Sequence, residues 1–493
     1  MDAAEAAMCR ILPAVEPLGA GTAVTDAGRT TELRAAVARV LPSVRNSLER
    51  LVRIPSVSAD PAAAPAVAAS AELVAELLRG AGLTDVDILR VAGGAPAVVG
   101  RRVGPAGAPT VLLYAHHDVQ PVGNRSDWAA DPFEPVERSG RLFGRGAADD
   151  KAGIALHLAA IQALGEELAV NVTVLVEGEE EIGSPTLAEF LTTHLDRLRA
   201  EVLVLADSTN WTVDIPALTT SLRGGAMVTV EVRTLHHALH SGMYGGAVPD
   251  ALMVLARLLA SLHDDDGNVS VAGLRGAGLL DAGLHDAGLH GDDTSGPKLS
   301  EGRLRADAGL LDGVRLIGTG GLTSRLWTRP ALTVVGIDAP SVAGASNTLL
   351  PMARARIALR VAPGDDAVAA RDALTAHLHD HAPWGAQVTV TAGGIAAAYR
   401  APAGGPAAAA ARFAFERAWG VPSVDIGVGG SIPFVAAFAD AMPEAEVLIT
   451  GVEDPDSRAH GADESLHLAM FERACVAEAL LLDRLGTTWT VRA

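Results

Sequence analysis

The sequence predicts an α/β domain, an open and mostly parallel sheet flanked by helices, interrupted by an inserted α+β unit. Three observations carry this. Short apolar runs alternate with helical repeats at both ends of the chain, the rhythm of parallel strands joined by crossover helices. Between about 222 and 396 the apolar residues alternate one by one, as in half-buried antiparallel strands. Hydrophobic residues make up 49% of the 493 residues but aromatics only 3%, so small aliphatic side chains must fill the cores, which suits helices packed on sheets.

Residues 1–30 lack periodicity and are expected to form a poorly ordered extension. The first part of the α/β domain then spans 31–221. It opens with a helix over 33–53, the turn Ile54-Pro55-Ser56, and a helix over 66–81 stopped by Gly82. The run PTVLLYA (109–115) reads as a buried strand. A helix over 151–164, a strand over 171–176, a helix over 186–195 and a strand over 201–206 follow. In the inserted unit (222–396), the segments 227–232, 331–337, 354–361 and 387–392 predict a four-stranded antiparallel sheet, and 249–262 and 366–381 predict its two helices. Within it, 271–312 repeats DAGL at 281–284, 286–289 and 307–310; three copies are too few for a solenoid, and the stretch reads as a Gly-rich surface loop. The α/β domain resumes over 397–493 with a helix at 406–419, a strand at 424–427 and a last helix at 465–482.

The charge balance is 39 basic against 59 acidic residues, net −20, the wrong sign for a nucleic-acid or anionic-membrane surface. Two distant cysteines, Cys9 and Cys475, exclude a disulfide scaffold and a cysteine-rich metal site. The N-terminus lacks the basic and apolar regions of a signal peptide, and no uninterrupted apolar stretch approaches the roughly 20 residues of a membrane span. A soluble, cytoplasmic protein is expected, with no nucleic-acid or membrane partner.

Chemistry gathers where strands end. His116 and Asp118 follow 109–115; H-x-D in an extended segment puts both on one side, so the carboxylate can fix the imidazole as a metal-bound histidine requires. Gly144–Lys151 (GRGAADDK) opens a helix, with Asp149 and Asp150 at the N-terminus where anions are favoured. EGEEE (177–181) ends another strand, and three adjacent carboxylates there need a cation or a proton. Asp207 follows 201–206, and His460 lies in DSRAHGADES. Ligands of open α/β sheets bind at the carboxyl ends of strands, so His116, Asp149, Glu180, Glu181 and Asp207 are expected on one edge. HLHDH (377–381) reads as histidines near a helix C-terminus, and no phosphate-binding glycine loop is present.

Seven motifs stand in order between Tyr114 and Ser465: YAHHDVQP, GRGAADDKAG, EGEEEIGS, LADS, LHSGMYGG, GGSIP and RAHGADES. In these the chain resembles the aminoacylase, carnosinase and succinyl-diaminopimelate desuccinylase family of dinuclear zinc metallopeptidases, closest to its dipeptidase branch. The resemblance implies two Zn2+ per subunit, with Mn2+ or Co2+ also suited to mixed N/O ligands. His116 and Asp207 would bind one ion, Glu181 and His460 the other, and Asp149 would bridge both; the Asp149–Asp150 peptide would be cis. Glu180 would be the general base and Asp118 would orient His116. The inserted unit would be a lid and dimerisation domain, and His240 would donate to the oxyanion in the partner subunit of a homodimer. Asn347, Arg360, Gly429, Gly430 and Ser431 would hold the substrate carboxylate. The implied reaction is hydrolysis of a dipeptide. N-acyl-amino-acid deacylation on the same metal core is the alternative, and a catalytically silent amino-acid-binding or scaffold protein is a remote one. Ala152, Ala238 and Gly427 depart from residues common in the family, but none of them is a metal ligand.

Overall fold

The computed structural model describes residues 26–274, 297–402 and 404–489. The first helix runs Asp26–Val52, so helical structure begins inside the segment expected to be an unordered extension. The reason is packing: Leu33, Val37, Val44, Leu48 and Leu51 recur on one face and bury it in the main core. The helix Ala64–Gly80 follows a short turn, Pro61–Ala63, capped by Asp60. By length and composition alone Pro61–Gly80 is apolar enough to cross a membrane, against the expectation that no stretch approaches a span. Here Val67, Ala71, Val74, Leu77 and Leu78 bury one side against the sheet, while Glu72 and Glu76 stay on the outer side.

The large sheet runs in the spatial order Asp87–Leu89, Ala97–Arg102, Asn171–Glu177, Thr110–His116, Val202–Leu205, Glu446–Ile449, Ala217–Leu222, Tyr399–Arg400, with Val424–Val428 also paired to Ala217–Leu222. The expectation of a mostly parallel sheet is corrected: the sheet is mixed. Thr110–His116 pairs parallel with both neighbours, as Glu446–Ile449 does with Val202–Leu205 and Val424–Val428 with Ala217–Leu222. Asp87–Leu89, Ala97–Arg102 and Asn171–Glu177 pair antiparallel, and Ala217–Leu222 runs against Glu446–Ile449 and Tyr399–Arg400. A short loop joins Asp87–Leu89 to Ala97–Arg102, and it permits a hairpin but not a helical crossover. Helices Lys151–Leu164, Pro406–Trp419 and Leu468–Thr488 cover one face together with the first helix. Leu187–Leu198 and Pro433–Ala441 cover the other. The helix Pro433–Ala441 and the strand Glu446–Ile449 add to the expected elements, and Ser465–His467, expected in the last helix, form a strand.

Ala217–Leu222 ends in the large sheet and Gly224–Arg233 begins in the small one. The small sheet has the antiparallel order Ala331–Asp338, Met352–Val361, Gly224–Arg233, Gln387–Ala396. Helices Ala251–Ala260 and Ala367–Asp380 seal one face, with Val228, Val230, Val232, Ile357 and Leu359 buried beneath them. The segment read as a Gly-rich loop (271–312) contains a helix, Glu301–Asp307, capped by Ser300. Two of its three DAGL copies, 281–284 and 286–289, lie outside the described residues.

Candidate metal centre and active site

Thr110–His116, Asn171–Glu177 and Val202–Leu205 are neighbours in the sheet and all point their carboxyl ends the same way, which delivers His116, the 178–181 turn and Asp207 to one edge. Ligand atoms of His116, Glu180 and Asp207 lie within 4.8 Å of one another, as do those of His116, Asp149 and Glu181. His460 Nε2 is 3.0 Å from Asp149 Oδ2 and 3.2 Å from Glu181 Oε2, and His116 Nε2 is 3.2 Å from Asp149 Oδ1. Asp149 therefore stands between the two histidines, and the Asp149–Asp150 peptide is cis. Burial, reinforced by the charges of Glu181 and Asp149, pushes the Glu180 carboxyl up to about 8 despite His116 nearby. Burial and the surrounding carboxylates likewise hold Asp207 well above the usual carboxylate range. Four carboxylates and two imidazoles crowded in this way fit divalent metal ions, whose charge would offset the repulsion.

Asp118 has a double role. Its Oδ1 is 3.4 Å from His116 Nδ1, but its nearer contact to that ring is its own carbonyl, at 3.1 Å. Its carboxylate accepts the N–H groups of Glu180 (3.2 Å) and Glu181 (3.1 Å), so it fixes the acidic turn as well as the imidazole. His117 turns away from the centre, with Nε2 2.9 Å from the Pro96 carbonyl.

Three residues inside the quoted motifs were not singled out from sequence. Gln120 donates its backbone N–H (3.0 Å) and its side-chain amide (2.9 Å) to the Glu181 carboxylate. Glu464 is fully buried; its carboxylate accepts the N–H groups of Gly146, Ala148 and Asp149 and pairs with Arg145 at 2.6 Å. Arg145 in turn donates to the carbonyls of His460 (3.1 Å) and Gly461 (3.2 Å). His460 sits at φ 62, in the left-handed region, where this clamp holds it. The only signal in the sequence was a buried-type glycine motif carrying one arginine and a histidine motif carrying one glutamate.

The remaining predicted residues lie in three places. His240 and Asn347 meet on the inserted unit, where Leu239–His240 pairs with Thr348–Leu349 and Ser241 N donates to the Asn347 carbonyl at 2.9 Å; both residues are exposed. Neither joins the metal-capable groups of its own chain. Arg360 lies opposite Gly225 in the small sheet, exposed, and among the described residues it has no hydrogen bond or ion pair. Gly429, Gly430 and Ser431 form the turn between Val424–Val428 and Pro433–Ala441. Phe434, just past that turn, stacks on Tyr114 at 4.0 Å, two residues before His116, which ties the turn to the strand carrying the histidine.

Residues 112–484 match peptidase family M20/M25/M40. The chain belongs to that family. It is 35% identical over 397 residues to the cysteinylglycine-S-conjugate dipeptidase of Corynebacterium striatum, covering 79% of this chain and 84% of the relative. The β-Ala-His dipeptidase of Rattus norvegicus is 27% identical over 383 residues, 73% of each chain. Among solved structures, the di-peptidase Dug1p from Saccharomyces cerevisiae superposes with a TM-score of 0.77 at 23% identity, covering 93% of this chain and 99% of that one. Human carnosine dipeptidase 1 gives 0.75 at 23% identity, covering 92% and 98%. These two likenesses establish the fold, a mixed sheet flanked by helices, which this M20 chain shares along nearly its whole described length.

Proposed function

We propose that this M20 peptidase is a cytoplasmic, metal-dependent dipeptidase that cleaves an amide bond next to a free carboxylate. The observation that carries the reading is the convergence of His116, Asp149, Glu180, Glu181, Asp207 and His460 at one sheet edge. His116 and Asp207 would hold one zinc-class ion, Glu181 and His460 the other, and Asp149 would bridge. When bound, such ions supply Lewis acidity toward water and toward the scissile carbonyl.

The chain's own residues do the rest. Glu180 takes the proton of the attacking water and returns it to the leaving amine. Its backbone is anchored on Asp118, which keeps the carboxylate aimed while the proton moves. His240, exposed on the inserted unit, would reach a second subunit's site and donate to the developing oxyanion. An exposed apolar edge supports the homodimer this needs: Ala331–Asp338 is one of the two edge strands of the small sheet, with Val334, Val335 and Ile337 about half exposed. Arg360 and the Gly429–Ser431 turn would take the carboxylate.

The test is hydrolysis of Cys-Gly, β-Ala-His and N-acetyl amino acids by metal-stripped protein resupplied with zinc, manganese or cobalt, beside Glu180→Ala. Metal-restored dipeptide cleavage, lowered about 10²–10⁴-fold in the variant, is the expected result. Cleavage of the acetylated substrates alone would replace the reading with deacylation, and no turnover with metal bound would sink both.

A further inference from the structure

The chain crosses from the large sheet to the small one at Arg223, a residue only 9% exposed. Among the described residues no carboxylate pairs with it. Its guanidinium donates instead to three backbone carbonyls: Nε to Gly429 at 3.2 Å, and Nη1 to Arg329 at 3.2 Å and Arg325 at 3.4 Å. Burial, with the charge of nearby Arg360, pulls its pKa down to about 10. A buried cation without a counter-ion is costly, and here the three carbonyls satisfy its donors and are held in place by it.

The geometry at the turn is specific. Arg223 fixes the Gly429 carbonyl, and in a trans peptide the following N–H, that of Gly430, points the opposite way. Among the described residues the N–H groups of Gly430 and Ser431 donate to no protein acceptor. Position 429 is glycine because of the arginine rather than the turn: a Cβ there would lie 2.6 Å from Arg223 Nη2 and 3.1 Å from the Leu326 carbonyl. The other two carbonyls hold the end of helix Leu322–Trp327, and Trp327 packs edge-on against Trp211, in the loop that follows Asp207. Arg223 thus fastens the turn, a helix of the inserted unit and, through the two tryptophans, the Asp207 loop. Arg360, whose charge bears on Arg223, has no hydrogen bond or ion pair among the described residues.

The geometry points to Arg223 as the positioning residue of a carboxylate subsite, presenting the Gly430 and Ser431 N–H groups, next to Arg360, to the substrate's C-terminal carboxylate. This rests on the reading of Arg360 and the 429–431 turn given above.

The experiment compares the best-cleaved dipeptide of the panel with its C-terminal amide in wild type, Arg223→Met, Arg223→Lys and Arg360→Met. For Arg223→Met the dipeptide KM rises about tenfold or more with kcat within about threefold, while kinetics on the amide barely move. Arg223→Lys, which cannot reproduce the forked donation, falls between. Equal losses on both substrates, or no loss, would make Arg223 mere structural glue and overturn the inference. If Arg223→Met melts below the assay temperature, Arg223→Lys decides by the same split. Arg360→Met separates the two layers: it should abolish the preference for the dipeptide over its amide. If that preference survives in Arg360→Met, the carboxylate reading itself falls.

Discussion

At the scale of single residues the centre depends on groups that touch no substrate. Glu464 gathers three backbone N–H groups of the loop bearing Asp149, and its partner Arg145 holds the backbone of His460, so one buried ion pair sets the spacing between two candidate ligands. Replacing Glu464 with Gln keeps the size but removes the charge that Arg145 and the loop converge on. Metal affinity should fall about 10–100-fold, the usual effect of losing such a supporting partner, while the fold survives. Competition titration with a chromophoric chelator reads this directly; unchanged affinity would mean that the loop holds its shape without the glutamate. Both residues were in plain view in the sequence, inside GRGAADDKAG and RAHGADES. Their pairing was not, because 319 positions separate them.

At the scale of elements, strand ends and helix starts do the positioning. The helix Lys151–Leu164 begins immediately after the cis peptide, with Asp150 as its N-cap residue, and the Asp150 carboxylate accepts the His116 N–H at 3.2 Å. Gly153 makes room for that carboxylate: a Cβ would sit 2.3 Å from Asp150 Oδ1. Gly153→Ala opposes two effects, a gain in helix propensity of about 1 kcal/mol and a collision that displaces Asp150. The collision should win, with a net loss of about 1–3 kcal/mol in denaturant unfolding and weaker metal binding. A stabilised variant would show that Asp150 can move freely. The boundaries of this helix, and of Pro406–Trp419, were readable because a glycine follows each apolar repeat and ends it: Gly165 and Gly420. The helix Pro433–Ala441 was missed because it is short and its apolar residues run almost without interruption, so no period stands out.

At the scale of the whole molecule, ions and a partner subunit are expected to hold together what one chain leaves open. Crowded carboxylates repel one another when metal is removed, so stripped protein should melt at lower temperature. Zinc at about a thousand times its dissociation constant should restore about 4 kcal/mol. Differential scanning calorimetry with and without metal checks this, and an unchanged midpoint would argue against a bound ion. The exposed edge strand Ala331–Asp338 gives a second prediction. Val335→Asp combined with Ile337→Asp should shift the protein to monomer in sedimentation velocity and abolish turnover, if His240 works across the dimer. A fully active monomer would place the oxyanion donor within one chain.

The sequence by itself determined the longer periodic elements and the identity of the chemical groups, but not the short helix Pro433–Ala441 or the strands Glu446–Ile449 and Ser465–His467. Period-2 and period-3.6 patterns are written within one or two turns of chain, and the seven motifs name their own histidines and carboxylates. It also marked the change of character near 222, where alternating strands replace continuous apolar ones. Tertiary structure alone decided the strand directions that make the sheet mixed and the approach of His460 to within 3.0 Å of Asp149. It alone gave Asp118 its second role on the acidic turn and set Arg223 against the Gly429 carbonyl. Those outcomes join segments tens to hundreds of residues apart, and the order of strands in the sheet, not the spacing of residues in the chain, sets which of them meet.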